Sequence, residues 1–449
     1  MKKKSLSYTL LVLIHVIIGL VIFVVPLLSK IYALLIPIVG LSIVIRNQNR
    51  NNEVIFVAAY LVGVEVFLRM TGGNFNNEYV KFLVIFFMII GMFYSNFSIR
   101  SFLYIVFLVL LIPGILVAAS VDNLDFDLKK AIAFNLSGSL CLAIASMYMY
   151  KKKLLFSELQ NVLVTLGLPI VSTVVYLFLY NPSVKDVVTG TQSNFETSGG
   201  FGPNQVSTIL GLGMFVFFSQ LVLFSKSKKE IILNAILLIF VSYRGIATFS
   251  RGGVITGVVM ILCILLLLFA FSNDRGRKKI TLVFLLVGVL GAGIFSYTSL
   301  QTSGLIEKRY ANKDGKGREK KDRLGGREAV IDTDLKLFVD NPILGIGVGM
   351  GKENRKESLG QAVAAHSEVS RLLGEHGLFG IFSFLILLFA PFAVYLNNRE
   401  HIYFFSFFLF WLLTINHAAL RIAAPAFVYA LCLLSVQIKI PEKTENTTS

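Results

Sequence analysis

Charged residues and cysteines are scarce in this chain of 449 residues. Only 15% of its residues are charged and 55% are hydrophobic, whereas soluble domains contain about 25% charged residues. A soluble protein of this length could not bury so many apolar side chains. The three cysteines, Cys141, Cys263 and Cys432, each lie inside an apolar run. That placement favours core positions over a disulfide framework or a metal cluster.

Apolar segments of about 20 residues recur from one end of the chain to the other, which is typical of transmembrane helices. The sequence therefore predicts an all-α, polytopic membrane protein with about 14 transmembrane helices (12–14) and one large external loop. The first apolar run follows three lysines, but it is too long for a signal peptide and no small-residue cleavage site follows it. The predicted spans are residues 7–28, 31–45, 53–70, 78–96, 101–120, 131–149, 154–180, 204–224, 230–249, 254–272, 280–300, 377–396, 401–418 and 421–438.

The net charge of +16 comes from basic clusters between the apolar runs. This placement follows the positive-inside rule, so it predicts contact with anionic membrane lipids rather than with nucleic acid. The clusters at residues 2–4, 151–153, 226–229 and 275–279 then mark cytoplasmic turns, and an even number of spans puts both termini in the cytoplasm.

The chain divides into four predicted regions. Residues 1–200 form an N-terminal transmembrane bundle, and residues 201–300 form central helices that carry two polar motifs. Residues 301–376 form the large external loop, and residues 377–449 form C-terminal helices with a short cytoplasmic tail.

Four short stretches hold most of the chemically informative residues, and the predicted topology puts all four on the external face. Scattered structural residues would divide between the two faces, so this clustering predicts one site. The stretches are residues 200–205, residues 250–253, Arg327 with residues 342–347, and residues 365–377.

Arg251 follows the span that ends near residue 249. An arginine at that depth costs several kcal/mol unless snorkelling, pairing or a water-filled cavity relieves it, so a snorkelling arginine is the alternative to a functional one. Arg244, seven positions earlier, is predicted to lie on the same helical face and is a candidate supporting residue. Asn204 and Gln205 begin a span after Pro203, which favours a helix start; they either belong to a plain helix cap or hydrogen-bond a sugar or a phosphate.

The glycines between residues 342 and 351 invite a phosphate-loop interpretation. Position 346 is Ile346 where that motif needs glycine, and Glu353 stands where it needs Ser or Thr. A nucleotide-binding loop is therefore excluded. A flexible backbone beside a bulky substrate is the hypothesis that is left.

His366 lies in the external loop, where an imidazole can act as a base near neutral pH; an inert loop histidine is the alternative. The pairs Glu65 with Arg69 and His417 with Arg421 are spaced i,i+4, so each pair can meet on one helix face as a structural pair or as part of a site. No set of His, Glu and Cys residues resembles a zinc site.

These motifs together resemble those of the O-antigen ligase and polymerase superfamily over roughly residues 200 to 380. The resembling elements are Gly202-Pro203-Asn204, Ser250-Arg251-Gly252, Arg327 followed by Asn341-Pro342-Ile343-Leu344-Gly345-Ile346-Gly347-Val348-Gly349, and Ala365-His366 followed by Glu375-His376-Gly377-Leu378-Phe379-Gly380. Ser367 replaces the family's usual asparagine, and Val369-Ser370 replaces an aromatic-Leu pair, so the acceptor side is specialised.

The resemblance implies a membrane glycosyltransferase of lipopolysaccharide or other cell-surface polysaccharide biosynthesis. Its donor would be an undecaprenyl-diphosphate-linked glycan, its acceptor the lipid A core or a lipid-linked glycan, and it would use no nucleotide cofactor and no metal. The implied location is the bacterial cytoplasmic (inner) membrane, with the active site on the external, periplasmic face. The sequence does not separate a ligase from a polymerase.

The same resemblance implies roles for particular residues. Arg251 and Arg327 would bind the diphosphate, since an arginine fork matches phosphate oxygens bidentately. His366 would orient or deprotonate the acceptor hydroxyl. The supporting candidates are Arg244, Asn204, Gln205, Glu375, His417 and Arg421.

A transporter or flippase of lipid-linked saccharides is the alternative function. Such a protein is expected to contain paired, interrupted helices in two related halves, and the sequence shows none. The asymmetric external loop that holds His366 also favours an enzyme.

Overall fold

The computed structural model describes residues 6–95, 98–121, 127–320, 327–360, 363 and 365–438, without the side chains of residues 357–359. This part of the chain is mostly helical. The helices are α1 (Tyr8–Val24), α2 (Leu28–Asn47), α3 (Glu53–Met70), α4 (Tyr79–Tyr94), α5 (Leu103–Ala119), α6 (Leu128–Met149), α7 (Phe156–Tyr180), α8 (Val184–Val187), α9 (Pro203–Ser219), α10 (Lys228–Ala247), α11 (Arg251–Phe271), α12 (Asp274–Gln301), α13 (Leu305–Tyr310), α14 (Arg327–Asp340), α15 (Gly351–Leu359), α16 (Glu368–Tyr395), α17 (Phe404–Ile415) and α18 (Ala423–Leu431).

Nine helices within the described residues are long and apolar enough to cross a membrane. Three shorter apolar helices, α1, α4 and α17, accompany them, and α3 is an 18-residue helix that carries Glu65 and Arg69. These findings confirm a mostly helical, polytopic membrane protein. The count of 14 spans and the external position of the large loop remain predictions.

The starts of α9 and α11 pack with their backbones in contact. A Cβ atom on Gly253 of α11 would lie 2.1 Å from the carbonyl oxygen of Ser207, and one on Gly211 of α9 would lie 2.0 Å from the carbonyl oxygen of Gly253. Small residues at such crossings let membrane helices approach closely. This contact fixes the position of Arg251, the first residue of α11, relative to the first turn of α9.

A short parallel strand pair joins two distant parts of the chain. Strand β1 (Lys153–Leu155) pairs with strand β2 (Ser435–Gln437), with Lys153 opposite Ser435. Residues 151–153, a predicted cytoplasmic cluster, therefore lie on the same face of the bundle as the end of the described chain.

The glycine-rich segment after α14 is held between helices. Gly345, Gly347 and Gly349 have φ values of 69°, 95° and 85°, which side chains rarely tolerate. A Cβ atom on Gly347 would lie 2.6 Å from the backbone nitrogen of Ala118 in α5, and one on Gly349 would lie 2.8 Å from Cβ of Ala131 in α6. The glycines therefore provide left-handed turns and close packing, and a flexible backbone beside the substrate stays a prediction.

Helix α16 begins earlier than the predicted span and changes direction at Gly377. Gly377 has φ 58° and ψ −137°, and the helix continues on both sides of it. The N–H of Leu378 donates to the carbonyl of Pro342 over 2.8 Å. The predicted span start at residue 377 thus corresponds to this kink, and residues 368–376 add further helical turns before it.

Candidate functional site

Arg251 begins α11 immediately after a sharp reversal of the chain. Phe249 has φ 59°, and Ser250 is the extended N-cap residue of α11. The Ser250 hydroxyl donates to Oδ1 of Asn204 over 2.8 Å, and the Ser207 hydroxyl donates to the Ser250 carbonyl over 2.7 Å. The structure therefore brings the Gly-Pro-Asn and Ser-Arg-Gly motifs together, and Asn204 supports the turn that presents Arg251.

Arg309, at the end of the short helix α13, docks against this reversal. Its Nε donates to the carbonyl of Phe249 over 2.9 Å, and its Nη2 donates to Oγ of Ser193 over 3.3 Å. In return, Nη1 of Arg251 donates to the carbonyl of Arg309 over 3.3 Å. Two hydrogen bonds in opposite directions thus tie α13 to the start of α11.

Arg309 lies close enough to Arg251 and Arg327 for the charges of both to act on it. Burial, followed by the positive charges of Arg251 and Arg327, lowers the pKa of the Arg309 guanidinium to about 10. We call Arg251, Arg309 and Arg327 the arginine cluster. Sequence reasoning missed Arg309, because nothing in its local sequence distinguishes it from the neighbouring Lys308.

His366 lies next to the arginine cluster in a half-buried position. Burial is the first cause of a lowered pKa of about 4, and the charges of Arg421, Arg327, His417 and Arg355 follow it. The imidazole is therefore neutral near pH 7 and able to accept a proton. Its Nδ1 is buried and has no hydrogen-bond partner among the described residues.

His417 and Arg421 meet the site from a turn, so the predicted pairing on one helix face is wrong. Helix α17 ends at Ile415, and Ala419 has φ 51°. Nε2 of His417 lies 3.2 Å from Oγ1 of Thr208, and its ring packs against Gly252, where an added Cβ would lie 2.5 Å away.

Arg421 reaches the other side of the site. Its Nη2 donates to the carbonyl of Ala365 over 2.8 Å, directly beside His366. The turn between α17 and α18 therefore spans from the start of α11 to the His366 segment.

The predicted pair Glu65 and Arg69 does form on α3, with 2.7 Å between Oε1 and Nη2. Nη1 of Arg69 donates to Oε1 of Gln205 over 3.3 Å, and its Nη2 donates to the carbonyl of Arg421 over 3.1 Å. Gln205 is thus held by Arg69 in a scaffold that also fixes the turn after α17.

Arg244 lies apart from the arginine cluster. Its guanidinium donates to the carbonyls of Asn181 over 3.1 Å and Thr197 over 3.0 Å, and it lies 5.2 Å from the centroid of the Phe178 ring. Helix α10 ends at Ala247, so Arg244 and Arg251 do not share a helix face. Arg244 anchors the segment that precedes α9.

Glu375 is buried in an ion-pair network within α16. Its Oε2 accepts from Nη1 of Arg371 over 2.7 Å, and Arg371 also pairs with Glu368. A second buried pair joins Arg355 to Asp334, whose Oδ2 also accepts from the Ser370 hydroxyl over 2.8 Å. These pairs hold the beginning of α16 against α14 and α15, and sequence reasoning did not select Arg355, Asp334 or Arg371.

No group of three or more His, Cys, Asp or Glu residues that could hold a metal ion occurs in the described ranges. The absence of a metal from the chemistry remains an expectation.

Comparison with known proteins adds one match. A family model described as O-antigen ligase matches residues 233–385. The matched segment includes Arg251, Arg309, Arg327, His366 and Glu375, whereas Asn204, Gln205, His417 and Arg421 lie outside it. No curated protein matches the chain. The match at residues 233–385, on a chain of membrane helices, supports the resemblance to the O-antigen ligase and polymerase superfamily.

Proposed function

We propose that this protein transfers a glycan from an undecaprenyl-diphosphate-linked donor to an acceptor hydroxyl at the external face of the bacterial cytoplasmic membrane. The family match indicates activity of the O-antigen ligase type in general terms. The observation that carries the specific proposal is the position of Arg309, which accepts a hydrogen bond from Arg251 and lies within reach of the charge of Arg327, as does His366.

The arginine cluster suits a diphosphate leaving group. Guanidinium forks bind phosphate oxygens bidentately and keep their charge. Arg251 is also the first residue of the 21-residue helix α11, and the partial positive charge of a helix N-terminus favours anions. Arg251 and Arg327 would bind the diphosphate, and Arg309 would hold Arg251 in place.

His366 would act as the general base. As the acceptor oxygen attacks the anomeric carbon, the imidazole takes the hydroxyl proton, and the bond from the anomeric carbon to the phosphate oxygen breaks with its electron pair leaving on the diphosphate. The lowered pKa keeps the imidazole neutral before the donor binds. The negative charge of the bound diphosphate would offset the surrounding arginines and make the imidazole more basic.

The supporting candidates would act through the scaffold. Asn204 fixes the turn before Arg251, while Gln205, Arg421 and His417 join α3, α9, α11 and the His366 segment. Glu375 and Arg244 would stabilise the two flanks of the site. The basic clusters between the apolar runs support an external position for this site and cytoplasmic termini.

The proposed function is tested by the fate of the lipid-linked glycan in host cells that lack the protein. We expect undecaprenyl-linked glycan to accumulate in the outer leaflet, where a periplasmic glycosidase or an impermeant label reaches it. Wild-type protein should restore transfer, and a protein with both Arg251→Ala and Arg327→Ala should not. Accumulation confined to the inner leaflet would contradict the proposal and support a flippase.

A further inference from the structure

A cavity of about 380 Å³, with several charged residues in its walls, lies beside the His366 segment. It opens between the start of α6, the start of α15 and the first turns of α16. Side chains that line it include Phe134, Asn135, Lys352, Arg355, Arg371 and Glu375. Phe134, Asn135 and Lys352 have no part in the transfer proposed above, whereas Arg355 acts on His366 and Glu375 is a supporting candidate.

The cavity is next to the proposed base. Ala365, the residue before His366, lines the cavity. Arg355 also lines it, and its Nε donates to the carbonyl of Val363 over 2.7 Å. The same Arg355 is near enough to the His366 imidazole for its charge to act on it. A group bound in the cavity would therefore lie beside Ala365, the residue next to the histidine that is proposed to deprotonate the acceptor hydroxyl.

The walls of the cavity suit a saccharide better than a lipid chain. Arg371 and Glu375 are 5% and 3% exposed and pair with each other, so they form a fixed polar wall. Phe134, at the other side of the cavity, is 41% exposed. Its apolar ring is therefore available to contact a bound group. A hydrocarbon chain could not hydrogen-bond Lys352 and Asn135, which also line the cavity, whereas a sugar has hydroxyls for such groups and an apolar face for the ring.

The cavity walls come from two parts of the chain, one inside and one outside the segment matched by the family model. Arg355, Arg371 and Glu375 lie within the segment that the O-antigen ligase model matches, residues 233–385. Phe134 and Asn135, on α6, lie outside that segment. The cavity is therefore closed by a wall that the family match does not include.

We infer that this cavity is the acceptor subsite, that it binds a saccharide, and that Phe134 and Asn135 select which one. The inference rests on the proposed glycan transfer. The donor diphosphate and the acceptor sugar then approach His366 from different directions, with the arginine cluster on one side and the cavity on the other.

The first test measures occupancy directly on the purified full-length protein. The probe is the repeat-unit oligosaccharide released by mild acid from the lipid-linked glycan of the host. We expect this probe to slow the reaction of a charged maleimide with a Lys352→Cys variant several-fold, and Phe134→Ala in the same protein to remove the protection. A Thr189→Cys variant serves as the matched control and should react equally with and without the probe. Unchanged labelling of Lys352→Cys at saturating probe would overturn the inference, and so would protection that survives Phe134→Ala.

The second test separates this inference from the proposed function. Phe134→Ala and Asn135→Ala should raise the KM for the acceptor about tenfold, the scale of one lost aromatic or hydrogen-bond contact. Binding of radiolabelled undecaprenyl diphosphate should stay at the wild-type level in both variants. If wild-type protein transfers glycan and both variants keep a wild-type acceptor KM, the cavity assignment fails and the proposed function stands. If wild-type protein transfers no glycan from lipid-linked donor, the proposed function fails and this inference fails with it.

Discussion

The side chain of Arg251 donates a hydrogen bond to the main-chain carbonyl of Arg309 over 3.3 Å, across a separation of 58 residues. Arg309 in turn donates a hydrogen bond to the carbonyl of Phe249, two residues before Arg251 in the chain. The short helix α13 and the start of the membrane helix α11 are thereby fixed as one unit. The position of Arg251 depends on a residue that the motifs do not contain.

Arg309→Ala should lower glycan transfer about 10- to 100-fold, since small displacements of a binding group can reduce rates by that order. Arg309→Lys should recover part of the activity, because the lysine keeps a charge but not the fork. Lys308→Ala is the matched control, since Lys308 donates only to the exposed carbonyl of Gly315 over 2.8 Å. Equal effects of the alanine variants at 308 and 309 would contradict the positioning role.

Arg327→Ala should reduce transfer at least about 100-fold, the order observed when one charge-stabilising donor is removed from an active site. Arg327→Lys should recover only a fraction, because an ammonium is a point charge. Binding of labelled undecaprenyl diphosphate to the purified protein measures the cause directly. Arg318→Ala, in the same predicted external loop and exposed beside Asp314, should bind and transfer normally. Normal donor binding by Arg327→Ala would exclude Arg327 from the phosphate site.

Glycan transfer that depends on His366 as the base should persist to unusually low pH. Because the pKa is lowered from 6.5 to about 4, the neutral imidazole is favoured and stays neutral as the pH falls through 6.5. The acid limb of kcat/KM for the lipid-linked donor, which reports the donor-free enzyme, should therefore appear near pH 4. His366→Gln should lose about 10²- to 10⁴-fold in rate, the usual worth of general-base catalysis.

The charge of Arg421 provides a second test of the same imidazole. Arg421→Gln removes a nearby positive charge, which raises the pKa of His366 and moves the acid limb to higher pH. Arg399→Gln, in a predicted cytoplasmic turn, should leave the limb in place. A limb at pH 6.5 in the wild-type protein, or one that Arg421→Gln does not move, would argue against His366 as the base.

Gly253→Ala should destabilise the bundle by about 1–3 kcal/mol, the usual cost of overpacking, because the new Cβ meets the Ser207 carbonyl at 2.1 Å. Gly288→Ala is the matched control on α12, where nothing lies within 4 Å of the added Cβ. Thermal unfolding of the two purified variants in one detergent measures the difference. Equal melting temperatures would show that α9 and α11 do not pack with their backbones in contact.

Cysteines introduced at the exposed positions Thr189 and Ser303 should react with an impermeant thiol reagent in spheroplasts. A cysteine at Arg277, in a predicted cytoplasmic cluster, should react only after the membrane is disrupted. The opposite pattern would place the arginine cluster in the cytoplasm and remove the basis of the proposed function.

The sequence alone determined the class of protein and the motifs of the site. Hydropathy and charge placement are properties of consecutive residues, so they predicted a polytopic helical membrane protein before any contact was known. The pair of Glu65 and Arg69 was predictable for the same reason, because i,i+4 spacing is local to one helix. The same rule failed for His417 and Arg421, because a turn follows Ile415.

Only the tertiary structure decided what the other residues do. Arg309 joined the arginine cluster through contacts with Phe249 and Arg251, which no local pattern encodes. The glycines from 345 to 349 proved to be packing positions because α5, α6 and α16 converge on them. The low pKa of His366 arises from burial and from arginines distant in the chain. Local periodicity fixes which helices form, whereas the electrostatics of a site depend on which helices meet.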